Sequence, residues 1–554
     1  MIGRKTGREM MTDDDSEFDM AHRITVRDLL PWLAAAAGGV LVFLGYAGFD
    51  QFYLEWICLV PILWAIRKQS PVRAFFIGWV AGVIAHGGGF YWVIHMFREF
   101  AGMPWPPAFL GLVLLAAANG IVFAVWAGAT RFISGATGWS LIWVSPVIWT
   151  ALEKFWPEIF PNYLGASQYT FTHLTQIADV TGILGITFLI VYANSFIYTV
   201  MERRLAKQPF PRLQAAIFAA VIGVVLTYGA VRIHGVDQDA AAAPKLTVGL
   251  VQTNRGAAQK HIDRERFLRE HQEMSRELVS VHKPDLLVWP ESVLMADITS
   301  RRAQLPPSVF GNLETPVLFG AILRIDQGGE IRIYNSSVLV NGSGQILGSY
   351  DKMVLVPFGE YIPFGDTFPI LYSWSPYSSR FWRGENVEPV MLGAHPISVS
   401  ICYEDIFPGQ IRLLMKGGRD RRIPEAMFNV TDDSWYGDTV EPTEHLALAS
   451  FRAIEHRRPL VRSTTTGISA IIDPVGRFAC RTGQWTKETL TGTIPLMKGR
   501  TAYAILGDWI GWLCAILAAY GIARGYQLTR RRIKEKTVDI YQVKTRGKRP
   551  RKPH

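Results

Sequence analysis

Cys402 is the residue of this 554-residue sequence best placed to act as a nucleophile. It follows the apolar stretch 397–401 and precedes Tyr403 and two carboxylates. This pattern predicts a sharp turn after a buried strand, where a side chain faces a pocket and backbone N–H groups remain able to bind an oxyanion. Because the thiolate is the reactive form and a free thiol has a pKa of about 8.5, Cys402 needs a neighbouring base or cation.

Two further polar residues end apolar stretches and have the chemistry that Cys402 needs. Glu291 closes the sequence LLVWPE, and Lys352 lies in DKMVLVPFGEYIP, which also contains Glu360. One such residue alone is usually the solvated end of a strand. The three segments together predict a Glu291 base, a Lys352 cation that stabilises both thiolate and oxyanion, and a Cys402 nucleophile.

The other cysteines and the histidines give weaker signals. Cys58 and Cys514 lie in long apolar runs, where a cysteine is usually a small packed hydrophobe. Cys480 shares the polar block with Cys402, and a disulfide between them stays open as an alternative in an oxidising compartment. The twelve histidines show no spacing such as H-E-x-x-H, so we expect no metal and no other cofactor.

The segment that carries these residues alternates strand-like and helix-like stretches. Residues 263–281 and 443–456 have helical periodicity, and 341–344 is predicted to be a hairpin turn. Strands interleaved with helices over 234–500 predict an α/β domain or an α-β-β-α layered domain. The predicted strands are 245–252, 285–289, 317–321, 336–340, 397–401, 425–429, 460–463 and 468–473.

Most of the remaining sequence consists of apolar runs long enough to cross a bilayer. A run of about 18 apolar residues with few charges predicts a transmembrane helix. One short run could be a buried helix, but this succession predicts a polytopic α-helical membrane domain, with seven helices in 29–233 and an eighth in 503–523. The runs are 30–48, 52–66, 72–96, 108–133, 139–155, 181–201, 213–233 and 503–523.

The distribution of basic residues predicts the orientation in the membrane. Lys and Arg concentrate in the N-terminal segment 1–28 and in alternate loops, which indicates that these are cytoplasmic. Seven crossings then place 234–500 outside. The tail 524–554 carries twelve basic and two acidic residues, an excess equal to the formal net charge of +10. A cytoplasmic anchor beside anionic lipids explains this charge better than nucleic-acid binding does.

The ordered motifs resemble the carbon–nitrogen hydrolase (nitrilase) superfamily, and most closely its membrane-bound branch, the apolipoprotein N-acyltransferase family. The resemblance covers nearly the whole chain and extends beyond the Glu–Lys–Cys triad. Its further motifs are NVTDDSWYG from Asn429, EH from Glu444, FRAIEHRRP from Phe451 and RSTTTGIS from Arg462.

The resemblance implies a reaction and a location. A fatty acyl chain is expected to pass from a phospholipid, typically phosphatidylethanolamine, through a thioester on Cys402 to an apolipoprotein. The acceptor is the N-terminal amine of its diacylglyceryl-cysteine. The protein is then expected to be a monomer in a cell inner membrane, with both termini cytoplasmic and the catalytic domain periplasmic.

Supporting residues are implied in the same way. The Tyr403 N–H is expected to be a second oxyanion donor, and Glu360 and Glu404 either orient Lys352 and the amine or have a structural role only. One position departs from the family: His261 stands where a tryptophan near the substrate is common, which leaves the acyl contacts there open. The implied substrate-binding residues are Asn335, Phe358, Trp435, Tyr436 and Glu455.

The segment 358–382 is rich in aromatic residues, prolines and glycines. This composition predicts a lid that dips toward lipid, and an ordinary surface loop is the alternative.

Two alternative functions remain to be weighed. An amidohydrolase with water as acceptor could use the same triad and stays open. A receptor or transporter with an inactive domain is disfavoured by the complete triad and by the few charges within the apolar runs.

Overall fold

The computed structural model describes residues 26–256, 262–301, 304–374 and 379–546, so that His261 lies outside the described residues. Helices dominate as far as Ala242, two β-sheets follow, and a long C-terminal helix closes the chain. The longer α-helices are Val26–Gly45, Pro71–Gly89, Trp105–Asn119, Ile121–Thr137, Leu141–Phe155, Ile183–Leu205, Arg212–Ala242, Arg264–His282, Glu441–His456 and Trp509–Arg546.

The N-terminal helices form the predicted membrane domain. Within the described ranges, five helical segments are long and apolar enough to cross a membrane: Val26–Gly45, Pro71–Gly89, Trp105–Thr137, Ile183–Leu205 and Arg212–Ala242. Phe52–Ile66 is a shorter apolar segment. The membrane domain is thereby confirmed, whereas the total of eight crossings stays a prediction.

Small residues allow the membrane helices to approach closely. A Cβ atom at Gly82 would lie 2.6 Å from the carbonyl oxygen of Gly120, at the point where Trp105–Asn119 gives way to Ile121–Thr137. Lipid tails are as apolar as the helices, so tight contact between backbones replaces the hydrophobic effect as the source of association.

The block after the membrane helices folds into two sheets. Their strands, numbered β1 to β13 in chain order, are Lys245–Gln252, Leu286–Val288, Leu294–Ile298, Val317–Gln327, Glu330–Val340, Ile346–Asp351, Val390–Leu392, His395–Ile401, Ala426–Thr431, Leu460–Thr464, Ala470–Ile472, Phe478–Arg481 and Glu488–Pro495. The first sheet has the strand order β13-β1-β2-β4-β5-β6 with β3 beside β4, and the second has the order β12-β11-β10-β9-β8-β7. The predicted hairpin at 341–344 joins β5 and β6, which pair antiparallel.

The two sheets pack face to face around one apolar core. Val248 and Leu318 of the first sheet belong to the same buried cluster as Val399 and Phe428 of the second. Arg264–His282 packs against the first sheet and Glu441–His456 against the second, which confirms the α-β-β-α sandwich. Every residue of Glu441–His456 except the half-buried Thr443 is buried, because the membrane domain covers the outer face of this helix.

Asp179 of the membrane domain joins the two domains. It lies in the short helix Ala178–Thr181, just before Ile183–Leu205. Its carboxylate is 2.9 Å from the guanidinium of Arg457, which follows Glu441–His456. Arg232 and the Tyr228 hydroxyl, each at 2.7 Å, complete its partners. Arg457 and Asp179 are both almost fully buried. The junction therefore depends on a buried ion pair that neither domain could form alone.

We expect Asp179→Ala to lower the free energy of unfolding by about 3–5 kcal/mol, because it leaves the buried Arg457 guanidinium without a carboxylate. Chemical denaturation in detergent micelles, followed by tryptophan fluorescence, measures this change. Asp237→Ala is the matched control, since its partner Arg477 is 45% exposed and such surface pairs contribute about 0–1 kcal/mol. Equal losses in the two variants would contradict the role of the junction.

Candidate active site

Glu291 lies just beyond strand β2, after the Trp289–Pro290 break. Its Oε1 accepts a hydrogen bond of 2.7 Å from the Asn335 side chain, and its Oε2 accepts one of 3.0 Å from the Asp432 N–H. The neighbouring strand β4 must pass close to it, since a Cβ at Gly320 would lie 2.5 Å from the Glu291 Cα. Two strands and a glycine thus fix the position of this carboxylate.

Lys352 follows strand β6 and bridges two carboxylates. Its side chain is 1% exposed, and its Nζ lies 3.4 Å from Glu291 and 3.0 Å from Glu360. Asn335 also donates to Glu360, at 2.7 Å, and the Val356 N–H donates to the same carboxylate at 2.9 Å. The predicted residues Glu291, Lys352, Glu360 and Asn335 therefore form one buried cluster with alternating charge.

Cys402 begins a short 3-10 helix, Cys402–Ile406, directly after strand β8. Its φ of 54° is in the left-handed region, which costs a residue with a side chain about 1–3 kcal/mol. The Asn429 side chain at the end of β9 donates to the Cys402 carbonyl at 2.9 Å and holds this turn. The predicted turn is therefore present. Its strained backbone directs the thiol to the interior, and Cys402 as a whole is only 4% exposed.

The charges around Cys402 determine its protonation. Burial raises the pKa of the Cys402 thiol well above its ordinary value, the charges of Glu291 and Glu360 raise it further, and Lys352 opposes them. Burial also raises the pKa of Glu291, against the lowering effect of Lys352. For Lys352, burial lowers the pKa, but the negative charges of Cys402, Glu291 and Glu360 outweigh burial and hold the pKa well above the ordinary range. The resting site is therefore a neutral thiol beside a cation and a carboxylate of raised basicity.

Glu404 connects the Cys402 turn with the segment that follows Lys352. It accepts hydrogen bonds from the backbone N–H groups of Ile401 (2.8 Å), Met353 (2.7 Å) and Val354 (2.9 Å). The Tyr350 hydroxyl adds a bond of 2.9 Å. Burial raises the pKa of Glu404 to about 7, although its backbone donors oppose this. Its bonding capacity is used within the protein, and this geometry favours the structural alternative for Glu404.

Tyr403 and the predicted pocket aromatics lie between the triad and the membrane domain. The Tyr403 ring centroid is 5.8 Å from the Lys352 Nζ, and its hydroxyl donates to the Leu355 carbonyl at 2.9 Å. The ring of Phe160, from the membrane domain, contacts both Tyr403 and Tyr436. Trp435 packs on Phe100 with ring centroids 4.1 Å apart. Trp435 and Tyr436 thus connect the catalytic domain to membrane-domain rings.

Phe358 and Glu455 lie apart from the triad cluster. Phe358 is 61% exposed, has a φ of 65° and begins the predicted aromatic segment. The segment also exposes Phe364 and Phe368, by 77% and 57%. Glu455 lies at the domain junction, where it accepts a hydrogen bond of 3.1 Å from the Ile183 N–H and pairs with Arg452 at 3.0 Å. A substrate-binding role for either residue stays a prediction.

A buried ionic network behind Cys402 was not among the predicted site residues. Arg462 in the middle of β10 is fully buried and lies 3.0 Å from Asp405 and 2.9 Å from Asp433. His445 is 2.8 Å from Asp405, and these carboxylates outweigh burial and Arg462 to raise the pKa of His445 to about 9. Asp405 belongs to the Cys402 helix, so the network fixes the turn from behind. The sequence shows these polar residues beside or within apolar stretches, but no local pattern indicated that they meet.

We expect Arg462→Met to destabilise the protein by about 3–5 kcal/mol, because Asp405 and Asp433 lose their buried counter-ion. Thermal or chemical unfolding in detergent, with Arg477→Met as the control on an exposed pair, measures the difference. A loss no larger than that of the control would contradict the network's role.

The free thiols and the acidic groups further define the site. All four cysteines are free, so a Cys402–Cys480 disulfide is not formed. Among the described residues, no group of three or more His, Cys, Asp or Glu side chains is arranged to hold a metal ion. A thiol, a carboxylate and a lysine in one buried site are a combination that can support covalent catalysis.

Comparisons with known proteins identify both halves of the chain. Residues 38–196 match the family model of the apolipoprotein N-acyltransferase N-terminal domain, and residues 247–503 match that of carbon-nitrogen hydrolase. Apolipoprotein N-acyltransferase of Geobacter metallireducens is 30% identical over 90% of this chain and 95% of its own length. The protein of the same name from Bdellovibrio bacteriovorus is 29% identical over 79% of this chain and 83% of its own length. With this identity across both domains, the chain belongs to the apolipoprotein N-acyltransferase family.

Proposed function

We propose that this protein completes lipoprotein maturation by transferring a fatty acyl chain from a phospholipid to the N-terminal amine of diacylglyceryl-cysteine, through a thioester on Cys402. The protein is an acyltransferase, and its relatives carry the name apolipoprotein N-acyltransferase. The observation that supports the proposed mechanism is the buried Glu291–Lys352–Glu360 cluster, because its charges act on the Cys402 thiol. The domain that holds this cluster is joined to membrane helices.

In the first half-reaction, Glu291 accepts the proton of the Cys402 thiol as the sulfur attacks the acyl ester carbonyl. Lys352 stabilises the oxyanion that forms, with the Tyr403 N–H as second donor. The intermediate collapses, the C–O bond of the ester breaks, and Glu291 returns its proton to the leaving alkoxide. A lysophospholipid departs, and the acyl chain stays on Cys402 as a thioester.

In the second half-reaction, the amine of the apolipoprotein attacks the thioester. Glu291 accepts a proton from the amine, the C–S bond breaks, and the proton goes to the departing sulfur, which restores the resting thiol. Lys352 again stabilises the oxyanion. Burial of Cys402, Glu291 and Lys352 limits attack by water, which favours transfer over hydrolysis.

The substrates and location follow from the same proposal. The donor is phosphatidylethanolamine, and the protein acts as a monomer in the inner membrane. Both termini are cytoplasmic and the catalytic domain is periplasmic, as the distribution of basic residues predicts. The exposed apolar rings of Phe358, Phe364 and Phe368 support a lid that contacts lipid during donor entry.

The test of the proposed function is an acyl-enzyme measurement. Purified protein is incubated with phosphatidylethanolamine alone, and the mass of the Cys402 peptide is determined before and after treatment with hydroxylamine, which cleaves thioesters. We expect one acyl chain on Cys402, its transfer to an added diacylglyceryl peptide, and no adduct in Cys402→Ser. Cys480→Ser is the matched control. Release of free fatty acid without transfer would instead favour a hydrolase.

We expect Lys352→Ala to reduce acyl transfer by a factor of about 100–1000, because loss of one oxyanion donor costs about 2.7–4 kcal/mol in the transition state. Initial rates of thioester formation measure this loss, and thermal unfolding establishes that the variant is folded. Lys498→Ala is the control on an exposed lysine, 76% accessible. Near wild-type transfer by Lys352→Ala would refute the assigned role.

The protonation of Cys402 has a testable pH dependence. Because burial and the Glu291 charge raise its pKa, we expect alkylation of Cys402 by iodoacetamide to keep accelerating above the ordinary thiol value of about 8.5. Removal of the opposing cation in Lys352→Met should move the profile to still higher pH. Rates are measured in a Cys480→Ser background. A rate that is already constant below about pH 7 would indicate a resting thiolate and contradict the charge balance.

A further inference from the structure

A cavity of about 450 Å³ lies where the membrane domain meets the catalytic domain. Its membrane-domain wall combines aromatic rings with polar side chains, and its catalytic-domain wall comes from the segments beside Lys352 and Cys402. We call it the junction cavity. Its lining includes Tyr46, His86, Glu153 and Glu158 from the membrane domain and Val354 and Gln410 from the catalytic domain.

The junction cavity is adjacent to the triad but separate from it. Val354 donates its N–H to Glu404, the Phe407 ring packs 5.2 Å from the Tyr403 ring, and Gln410 donates to the Tyr350 hydroxyl. Cys402, Glu291 and Lys352 themselves are not among its lining residues. A molecule in the cavity would therefore contact the shell that supports the nucleophile while its reacting group lies elsewhere.

Two carboxylates in the cavity wall have no cationic partner. Neither Glu153 nor Glu158 forms an ion pair with any described residue, while the adjacent Lys154 is occupied by Asp508 at 2.5 Å. Glu153 accepts hydrogen bonds only through Oε1, from Trp149 at 2.8 Å and the Leu164 N–H at 2.9 Å, and its Oε2 has no partner. Burial raises the pKa of Glu158 to about 8, and the charge of Glu153 adds to this effect. Without a cation, burial favours the protonated form of such a group, and a cation that enters the cavity would favour the carboxylate.

A second observation also points to a ligand. Tyr46 lines the cavity and is only 5% exposed, and its hydroxyl has no hydrogen-bond partner among the described residues. His86, 4% exposed, uses Nδ1 for the Gly82 carbonyl at 2.9 Å, and its Nε2 likewise has no partner in the described part of the chain. Buried polar groups are normally satisfied, so these atoms are available to a polar group within the cavity.

We propose that the junction cavity binds the primary ammonium of the phospholipid donor's headgroup, between the carboxylates of Glu153 and Glu158. The surrounding rings of Trp149 and Phe123 add cation–π attraction. The volume lies within the range of small-molecule sites. The proposal rests on the proposed function and gives it a chemical basis for headgroup preference.

The donor's ammonium fits this position better than the acceptor's. The acceptor amine is itself the reacting atom and must reach the thioester on Cys402. The headgroup ammonium of the donor is remote from the ester that reacts. The carboxylates of the cavity are likewise remote from the triad, because Tyr403, Glu404 and their neighbours lie between them. Residues at or near the ends of membrane-domain helices, such as Trp149, Glu153 and Leu184, form one wall of the cavity, which is consistent with a lipid headgroup as the ligand.

The test compares donors that differ in the headgroup only. Thioester formation on Cys402 is measured with phosphatidylethanolamine and with phosphatidylglycerol of the same acyl chains. We expect the wild type to prefer phosphatidylethanolamine and Glu158→Gln to reduce the rate ratio about tenfold, as expected for loss of a hydrogen bond to a charged group. Glu153→Gln serves as a second variant. Glu99→Gln, an exposed carboxylate outside the cavity, is the matched control and should keep the wild-type ratio.

Each outcome bears on a different claim. A ratio unchanged in both Glu158→Gln and Glu153→Gln would overturn the ammonium site, and so would an equal loss with both lipids. If Glu158→Gln slowed only the transfer from preformed thioester to a diacylglyceryl peptide, the donor assignment would be wrong. Absence of any thioester in the wild type with either lipid would instead reject the proposed function.

Discussion

The buried contact of Lys352 with Glu291 and Glu360 is the interaction on which the rest of the site depends. One cation between two carboxylates is stable in a low-dielectric interior only when each oxygen has a further donor. Asn335, Val356 and the Asp432 N–H supply these donors. Asn335 lies in strand β5, Val356 follows β6, and Asp432 follows β9 of the second sheet, while Glu291 itself follows β2. Both sheets must therefore be assembled before the charges are satisfied.

The membrane domain is part of this structure and more than an anchor. It covers the helix Glu441–His456 so completely that charged residues such as Glu444 and Arg452 are buried. Trp92 of the membrane domain donates to Glu444 at 3.3 Å and packs on Tyr436, and Asp179 holds Arg457. The helix is therefore an internal layer between the second sheet and the membrane domain.

Much of the fold could be predicted because strong local patterns coincided with tertiary burial. Strand β1 spans the predicted residues 245–252, since an apolar run between helices is buried on both faces. β4 and β5 extend further than predicted because they pair with each other along their whole length, from Val317–Val340 to Gln327–Glu330. β13 was missed, as its threonines and glycine are only half-buried and its pairing with β1 is not visible locally. Its partner lies more than 200 residues away in sequence.

The clustering of Glu291, Lys352 and Cys402 could be predicted because each lies just beyond the end of a strand. Their catalytic roles stay predictions, and the residues that surround the cluster were predicted only in part. The burial of Arg462 with Asp405 and Asp433 depends on strands β9 and β10 being neighbours in parallel, which no local pattern specifies. The junction cavity is beyond sequence reasoning for the same reason, because segments far apart in the chain form its walls.

The charge balance also explains how a reactive thiol can persist on the proposed exterior side. Glu291, Lys352 and Glu360 together already carry an excess negative charge when all are ionised, so a thiolate on Cys402 would add a second uncompensated charge in a buried site. The resting cysteine therefore stays protonated, and the thiolate is the form that oxidants attack. In the proposed mechanism, charge moves from sulfur to the oxyanion beside Lys352 when an ester carbonyl binds, and the proton moves to Glu291. The proposal therefore makes the bound substrate, and not a resting thiolate, the source of reactivity.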